Sequence, residues 1–547
     1  MANSGGGDQK SDQAVKEKSE HQRQAEPGEP VCAVCGRYGE YICDATDDDV
    51  CSLECKAVIV ARSNPAPPPT HDTSKPKTKV VVPTEFLRDE CVVVTDQGNK
   101  LPEWMPDESI ARLSQKQVDA LLQGIEVSVK GDDIPRPILQ FSDCNFLPKL
   151  QENLEAAGYD TPTPVQMQAI PAALRGRDVL VSAETGSGKT GSFLLPIIMR
   201  CSLVRIHGLS ERDRPLAMVL APTRELCAQV EEQAKVLASG LPFKTALVVG
   251  GDAMPQQLHR IKQGVELIIG TPGRLIDLLS KHDCLNLQDV CVLALDEVDC
   301  MLESGFRDQV LQIVQALSTP QILMYSATIP PSIERFSSSL LKNPLLVSVG
   351  TPSQPNRAVQ QTVLWIESKK KKKKLFEILK SRVHYRPPVV VFVSSRVGSD
   401  LLAEAIRSVT GIKAMSLHGE KSMKDRREAM TSFLTGEIPV IVATGVLGRG
   451  LDLLRVTQVI VFDFPSSIQE YIHMIGRASR LGNPGSAMVF VDNESKALFK
   501  ELVTLLRTSG TVIPHELLNS PYLHSTYALA YNKKKRRRKQ NLDIDSD

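Results

Sequence analysis

The 547-residue chain has no apolar run long enough to span a membrane as a helix. Its first residues, Met1 to Gln13, are polar and Gly-rich and lack the apolar centre of a signal peptide. Charge of one sign is missing too. Its 65 Lys and Arg face 64 Asp and Glu, and a formal net charge of +1 selects no partner. With no leader and no membrane segment, a reducing compartment is the default expectation, nuclear and/or cytoplasmic. Disulfides are then not expected for the 12 cysteines. The seven scattered from Cys91 to Cys300 read as small buried hydrophobes, whereas five crowd between Cys32 and Cys55.

A chain of this length exceeds one ordinary core, so two or three domains with flexible flanks are expected. Residues 1–29 are polar and read as disordered. Residues 30–60 hold the cysteine cluster, and 61–80 form a linker around Pro65-Ala66-Pro67-Pro68-Pro69. Residues 81–140 read as an N-terminal extension with a helix over Asp107–Leu122, where Ile110, Leu113, Val118 and Leu121 share a face. From Phe141 short apolar runs alternate with helical segments: Asp178–Ser182, Ala217–Leu220, Ala246–Val249, Leu267–Ile269, Val290–Leu295 and Ile322–Tyr325. A second series follows at Val389–Val393, Ala414–Leu417, Val440–Val442, Gln458–Phe462 and Ala487–Val491. This rhythm predicts an α/β protein with two parallel-sheet lobes in tandem, over 141–349 and 359–520, joined by a linker at 350–358. The tail 521–547 is basic, then acidic, and reads as disordered.

Ala183-Glu184-Thr185-Gly186-Ser187-Gly188-Lys189-Thr190 follows one strand and precedes an apolar helical segment, which is the context of a phosphate-binding loop. Gly186 and Gly188 let backbone N–H groups curl around phosphate oxygens. Lys189 is placed for the β- and γ-phosphates and Thr190 for Mg²⁺. Ala183 stands where the usual loop has Gly. Another apolar strand ends in Asp296-Glu297. Functional residues of a parallel sheet gather at such carboxyl ends, so Asp296 is expected to position Mg²⁺ and Glu297 to orient or deprotonate the attacking water.

Asp296-Glu297-Val298-Asp299 resembles the motif that names the DEAD-box RNA helicases, with Val298 in place of Ala. Gly158-Tyr159, Pro162-Thr163-Pro164 and Gln166 resemble the family's Q motif, with Phe141 as its upstream aromatic. Pro222-Thr223-Arg224-Glu225-Leu226, Gly250-Gly251 and Thr271-Pro272-Gly273-Arg274 resemble its RNA-contacting segments. Ser326-Ala327-Thr328 resembles the segment coupling hydrolysis to strand separation. The resemblance covers roughly residues 100–520 and implies RecA-like lobes that bind ATP and RNA. The Gln166 amide carries donor and acceptor together, as reading an adenine edge requires, and Phe141 and Tyr159 could supply apolar surface for the base.

In the second half, Ala443-Thr444-Gly445-Val446-Leu447-Gly448-Arg449-Gly450-Leu451-Asp452 resembles motif V. It implies that Thr444 and Gly445 face RNA and Asp452 the ribose, although Gly445 sits where many relatives carry Asp. His473 to Arg480 resembles motif VI. Arg477 and Arg480 are three apart, on one face if helical, and suit an arginine-finger role, with His473 in a coupling role. Met474, Ala478 and Ser479 replace the family's usual Arg, Thr and Gly. Closure of the lobes would complete both the ATP site and an RNA groove, so the two ligands would favour one state. A monomeric motor is expected. An ATP-gated RNA clamp with little unwinding is the alternative, and a DNA-directed motor the third reading.

Cys32-Ala33-Val34-Cys35 and Cys51-Ser52-Leu53-Glu54-Cys55, with fifteen residues between them, have the spacing of a four-thiolate zinc site. So short a segment builds no core without a metal. With Tyr41-Ile42-Cys43 the module resembles a HIT-type zinc finger. The family's interleaved order assigns Cys32, Cys35, Cys51 and Cys55 to one zinc. Thr46 stands where a fourth Cys is expected, which leaves Cys43 either an orphan or a weak extra ligand. HIT-type fingers mostly dock proteins, including AAA+ ATPase assemblies, which makes such an assembly a candidate partner. Two basic runs, Lys369 to Lys374 and Lys533 to Lys539, read as solvated charge, nucleic-acid contacts or a nuclear localisation signal.

Overall fold

The computed structural model describes residues 18–25, 31–39, 41–43, 48–63, 92–94, 100–102, 104–105, 107–184, 186–211, 214–281, 285–350, 358–445, 456–478 and 484–523. Thr185, Asp452, Ser479, Arg480 and most of the linkers and tails lie outside them. The chain divides into two units, 1–89 and 90–547.

In the first unit, β1 (Tyr41–Ile42) pairs antiparallel with β2 (Asp49–Val50), and the helix Leu53–Ser63 follows. Cys32, Cys43, Val50, Cys51, Cys55 and Ile59 form a small core. This unit starts earlier than the expected boundary at residue 30. Ser19 donates from N and Oγ to Glu54 at 2.9 and 3.0 Å, Gln24 bridges to Arg37, and Arg23 lies over the Tyr38 ring. Polar residues 18–25 are therefore ordered through hydrogen bonds and a cation–π contact, which apolar patterning does not register.

In the second unit a short hairpin, β3 (Val92–Val94) and β4 (Lys100–Pro102), precedes an eight-stranded sheet. That sheet comprises β5 (Val127–Lys130), β6 (Val179–Ser182), β7 (Ala217–Leu220), β8 (Thr245–Val248), β9 (Leu267–Gly270), β10 (Val292–Leu295), β11 (Gln321–Ser326) and β12 (Leu345–Val349), in the order β5-β12-β6-β11-β10-β7-β9-β8. All neighbours are parallel except β5, which runs antiparallel to β12. The central strands are buried along their length, as a sheet covered on both faces requires.

The expected start of this lobe at Phe141 is corrected by β5 and by Ile138, which is buried and donates its N–H to Met167 at 2.9 Å. Trp104 Nε1 donates to the Cys144 carbonyl at 2.9 Å. The single helix expected over Asp107–Leu122 is two, Glu108–Ala111 and Gln115–Gly124. Ser114 breaks it by accepting from Gln117 N while the Gln117 side chain returns to Ser114 N, a reciprocal cap that starts a new helix.

The second lobe is a six-stranded, wholly parallel sheet: β13 (Val359–Trp365), β14 (Val389–Val393), β15 (Ala414–Leu417), β16 (Val440–Thr444), β17 (Gln458–Val461) and β18 (Gly485–Val491), in the order β13-β18-β17-β14-β16-β15. Both sheets thus present strand carboxyl ends along one edge, where βα loops carry the polar residues.

Candidate functional site

The phosphate loop leaves β6 and enters the helix Lys189–Ile206. Gly186 and Gly188 have φ of +81° and +95°. A Cβ on Gly188 would sit 2.6 Å from Thr163 Oγ1 and 2.9 Å from Gln166 Nε2, so only glycine fits. Gln166 is buried. Its Oε1 accepts from Thr163 N at 2.9 Å and its Nε2 donates to the Gly188 carbonyl at 3.1 Å. One donor and one acceptor site of the amide stay available for a base. Phe141 meets Tyr159 edge-on with ring centroids 6.0 Å apart, and the Tyr159 hydroxyl accepts from Gln233. Lys189 Nζ donates to the Ala183 carbonyl at 2.7 Å, and Ala183 N donates to Ser326 O at 3.2 Å.

Asp296 and Glu297 follow β10 and are buried beside this loop. Burial, then the adjacent Glu297 charge, pushes the Asp296 carboxyl up to about 7, while Lys189 opposes the shift. Asp296 Oδ1 accepts Glu297 N at 3.0 Å. Glu297 holds φ +52°, left-handed for a residue with a side chain, and its Oε2 is buried without a partner. A buried acceptor of this kind fits a site that receives a proton from water. Val298 points into the lobe's core, which accommodates the Ala-to-Val departure.

Asp299, which the motif pattern alone gives no separate role, connects three segments. Its Oδ2 accepts Thr328 N at 3.0 Å and Thr328 Oγ1 at 2.9 Å, and lies 3.1 Å from His473 Nε2 of the second lobe. Burial opposes ionisation here, but His473 and the Thr328 bond hold Asp299 well below the usual carboxylate range. Ser326 Oγ closes the turn onto the Thr328 carbonyl at 2.7 Å, around Ala327.

Three further charged pairs cross the lobes. Arg477, fully buried, places Nη2 3.4 Å from Glu297 Oε1. Arg426 pairs with Glu225, both largely buried, and Arg427 lies 3.6 Å from Asp252. In each of these pairs, and in His473–Asp299, the acid belongs to the first lobe and the base to the second. Arg426 lies outside the sequence motifs, and Glu225 lies within the Pro222–Leu226 segment. The shared face expected of Arg477 and Arg480 lies partly outside the described residues, since Arg480 is not among them. The helix ends at Ile475, and Arg477 lies in a 3-10 turn over Gly476–Ala478.

Several residues expected to contact RNA also brace the fold. Pro222 and Thr223 are buried, and Thr223 Oγ1 caps the helix Arg224–Leu237 by accepting Leu226 N at 3.3 Å. Arg274 donates to the Asp252 carbonyl at 2.7 Å and to Gln257 Oε1 at 3.2 Å, bracing the loop after Gly250-Gly251. A Cβ on Gly250 would lie 3.1 Å from the Arg224 guanidinium. Thr271 N bonds Val248 O, and Pro272 and Gly273 open the helix Pro272–Lys281. Thr444 ends β16, followed by Gly445. A Cβ on Gly445 would collide with the Glu470 carboxylate and lie 2.9 Å from Met474 Cε, so two departures from the family pattern touch each other.

In the first unit the sulfurs of Cys32, Cys35, Cys51 and Cys55 all lie within 4.8 Å of one another. Tetrahedral zinc–thiolate bonds of about 2.3 Å put ligand sulfurs about 3.8 Å apart, so the group fits zinc. Burial works against ionisation, yet N–H groups of Cys35, Val34 and Cys51 bring the Cys32 thiol down to about 7. Cys43 is not in this group and packs as a buried hydrophobe.

Two parallel-sheet lobes with a phosphate loop on one and a buried arginine reaching its carboxylates from the other define a nucleotide-driven two-lobe motor. The DEAD/DEAH box helicase pattern matches residues 163–336, the helicase conserved C-terminal domain 370–482 and the HIT zinc finger 28–57. The chain is 55 % identical over 522 residues to DEAD-box ATP-dependent RNA helicase 41 of Oryza sativa subsp. japonica, covering 95 % of this chain and 94 % of that one. It is 46 % identical over 516 residues to the probable ATP-dependent RNA helicase DDX59 of Homo sapiens, covering 94 % and 80 %. In fold it is similar to S. cerevisiae Dbp5 bound to RNA and ADP BeF3, with TM-score 0.60 and 24 % identity over 69 % of this chain and 95 % of that one. The chain belongs to the DEAD-box family of ATP-dependent RNA helicases and carries a HIT-type zinc finger.

Proposed function

We propose that the chain binds ATP on the first lobe, closes the second lobe over it, and uses the closed state to grip RNA and disrupt short duplexes or RNA–protein contacts. The observation that carries this reading is the meeting of Glu297 with Arg477 and of Asp299 with His473 across the lobes. Gly186 and Gly188 with Glu184, Thr185 and Ser187 wrap the phosphates, and Lys189 exchanges its Ala183 carbonyl bond for phosphate oxygens. Gln166, beside Phe141 and Tyr159, reads the adenine edge, and Asp452 holds the ribose. Mg²⁺ held by Thr190 and Asp296 would neutralise charge on the phosphates as the bond breaks. Glu297 Oε2 takes up the proton of the attacking water. Arg477 and Arg480 stabilise charge on the transferring phosphoryl group. Arg224, Gly250, Gly251, Thr271 to Arg274, Thr444 and Gly445 line the RNA path, largely through backbone and fixed polar groups, so that sequence preference is weak.

The finger holds one zinc and docks a protein partner, an AAA+ ATPase assembly being the candidate, while the motor works as a monomer in the nucleus and/or cytoplasm. One observation favours the clamp as a second reading. The apolar Met474 contact at Gly445 occupies a place where family relatives carry charge. The discriminating experiment pairs RNA-stimulated ATPase with duplex unwinding, using Glu297→Gln as control. Loss of turnover in the variant and unwinding by the wild type support the helicase reading. Stimulated ATPase without unwinding supports the clamp. Full turnover in Glu297→Gln overturns the catalytic assignment.

A further inference from the structure

We propose that the lysine run Lys369–Lys374 is an auxiliary RNA-backbone site that prolongs the strand's path along the second lobe. The run begins just after β13, in a 3-10 turn at Ser368–Lys370 and the first turn of the helix Lys371–Lys380. Its six members have separate roles. Lys371 is buried, with Nζ 3.0 Å from Asp492 and 3.8 Å from Asp463, and is structural. Lys370 pairs with Glu367 and Lys374 with Glu377. Lys369, Lys372 and Lys373 are exposed and have no ion-pair partner among the described residues. Lys369 and Lys372 rim a cavity of about 380 Å³ whose remaining walls include Ser368, Phe462, Asp463 and Glu494.

The position of this cavity argues for RNA. The carboxyl ends of β16, β14, β17, β18 and β13 lie side by side on one sheet edge. Thr444 is opposite Val393 in register. The next residue, Ser394, donates from N and Oγ to Asp463 at 3.0 and 3.1 Å, and Asp463 is a wall of the lysine cavity. Among the described residues, the edge spans four strand spacings from Thr444 to the lysines, about 19 Å. A strand leaving Thr444–Gly445 along this edge meets unpaired ammonium groups. Lysines crowded into one helical turn repel each other and oppose the helix dipole, and a polyanion relieves both costs. Lys369, Lys371 and Lys372 of the lining, with the neighbouring exposed Lys373, outnumber its two carboxylates, Asp463 and Glu494. The rim thus presents net positive charge. An acidic peptide would match the charge but not the continuity with the RNA-facing edge.

This inference rests on the reading of Thr444 and Gly445 as RNA-facing, and the test separates the two. The full chain, held with a non-hydrolysable ATP analogue, is titrated with a short single-stranded RNA that fills only the two-lobe groove and with a much longer one. The triple variant Lys369→Ala, Lys372→Ala, Lys373→Ala should bind the short RNA as the wild type does. It should bind the long RNA about three- to tenfold more weakly, with the salt slope of log affinity reduced by about 2, since each single-strand phosphate contact contributes about 0.7. The Lys-to-Arg triple variant should keep both affinity and slope. Equal affinity and slope for long RNA in the alanine variant overturns the proposal, and does so in favour of an acidic peptide if polyglutamate binding is lost instead. Equal weakening for both RNAs also overturns it, by placing the lysines in the groove itself. A wild type that binds neither RNA sinks the underlying RNA reading as well.

Discussion

Asp299 of the first lobe and His473 of the second lie 3.1 Å apart, and the same carboxylate oxygen holds both Thr328 bonds. One oxygen thus ties the end of β11, the carboxylate turn and the second lobe together. His473→Ala should leave the fold of each lobe intact and remove this tie. ATP affinity without RNA should change less than RNA-stimulated turnover, which should fall at least about tenfold, the scale of one lost buried charge-assisted bond. Equal stimulation by RNA in variant and wild type would remove Asp299–His473 from the coupling path.

Glu225 and Arg426 form a largely buried pair across the lobes. Removing one partner leaves a desolvated charge, so either single substitution should disfavour the apposed state. Arg426→Glu should shift the inter-lobe distance distribution, read by fluorescence energy transfer with ATP analogue and RNA bound, toward open forms. The swap Glu225→Arg with Arg426→Glu should restore much of the closed population. A swap no better than the single variant would show that the pair acts through local packing alone.

The Asp296 carboxyl, raised to about 7 by burial and Glu297, is protonated in the folded protein at pH values where the unfolded chain has released that proton. Folding therefore takes up a proton between the ordinary Asp range and about 7, and this group's contribution to stability falls as pH rises through that window. In EDTA, Asp296→Asn should raise the melting temperature at pH 8, and the gain should shrink toward pH 5. A gain independent of pH would trace the effect to something other than charge.

Gly445 has no room for a side chain beside Glu470 and Met474. Gly445→Asp alone should lower RNA-stimulated ATPase, because it sets a carboxylate against Glu470 in a closed space. Adding Met474→Arg supplies a cation at the same contact and should recover activity. Failure of the double variant to exceed the single one would show that the two positions are not energetically linked.

Metal analysis of the full chain should return one zinc. Cys32→Ser with Cys35→Ser should abolish it and leave ATPase largely intact, whereas Cys43→Ser should keep the metal and lower the finger's stability by disturbing its core. Zinc loss in Cys43→Ser would return that cysteine to the ligand set.

Much of the motor could be read from the chain because its signals are local. Gly186, Gly188, Lys189, Asp296 and Glu297 sit at strand ends that apolar runs announce, and the central strands are continuous buried runs. What escaped reading depends on distance. β5 is recognised only by its antiparallel partner β12, and β13 carries Gln360, Gln361 and Thr362 as an edge strand does. Glu225 and Arg426 are 201 positions apart and meet only after both sheets form. Thr223 and Arg274 carry the residue types of RNA contacts, yet their polar atoms are engaged in a cap and a loop brace. Spacing identifies a residue type but not the partner it finds.

The backbone of Glu297 has a consequence for how this protein would evolve under artificial selection. A side chain held at φ +52° beside two crowded carboxylates is a local cost, about 1–2 kcal/mol for the conformation alone. Glycine there, or an amide at Asp296, would relax the turn. A library screened only for heat resistance should therefore accumulate changes at this turn early, yielding chains that survive heating and turn over no ATP. Lineages that must also hydrolyse ATP are barred from that route and have to find their added stability in the flanking sheets.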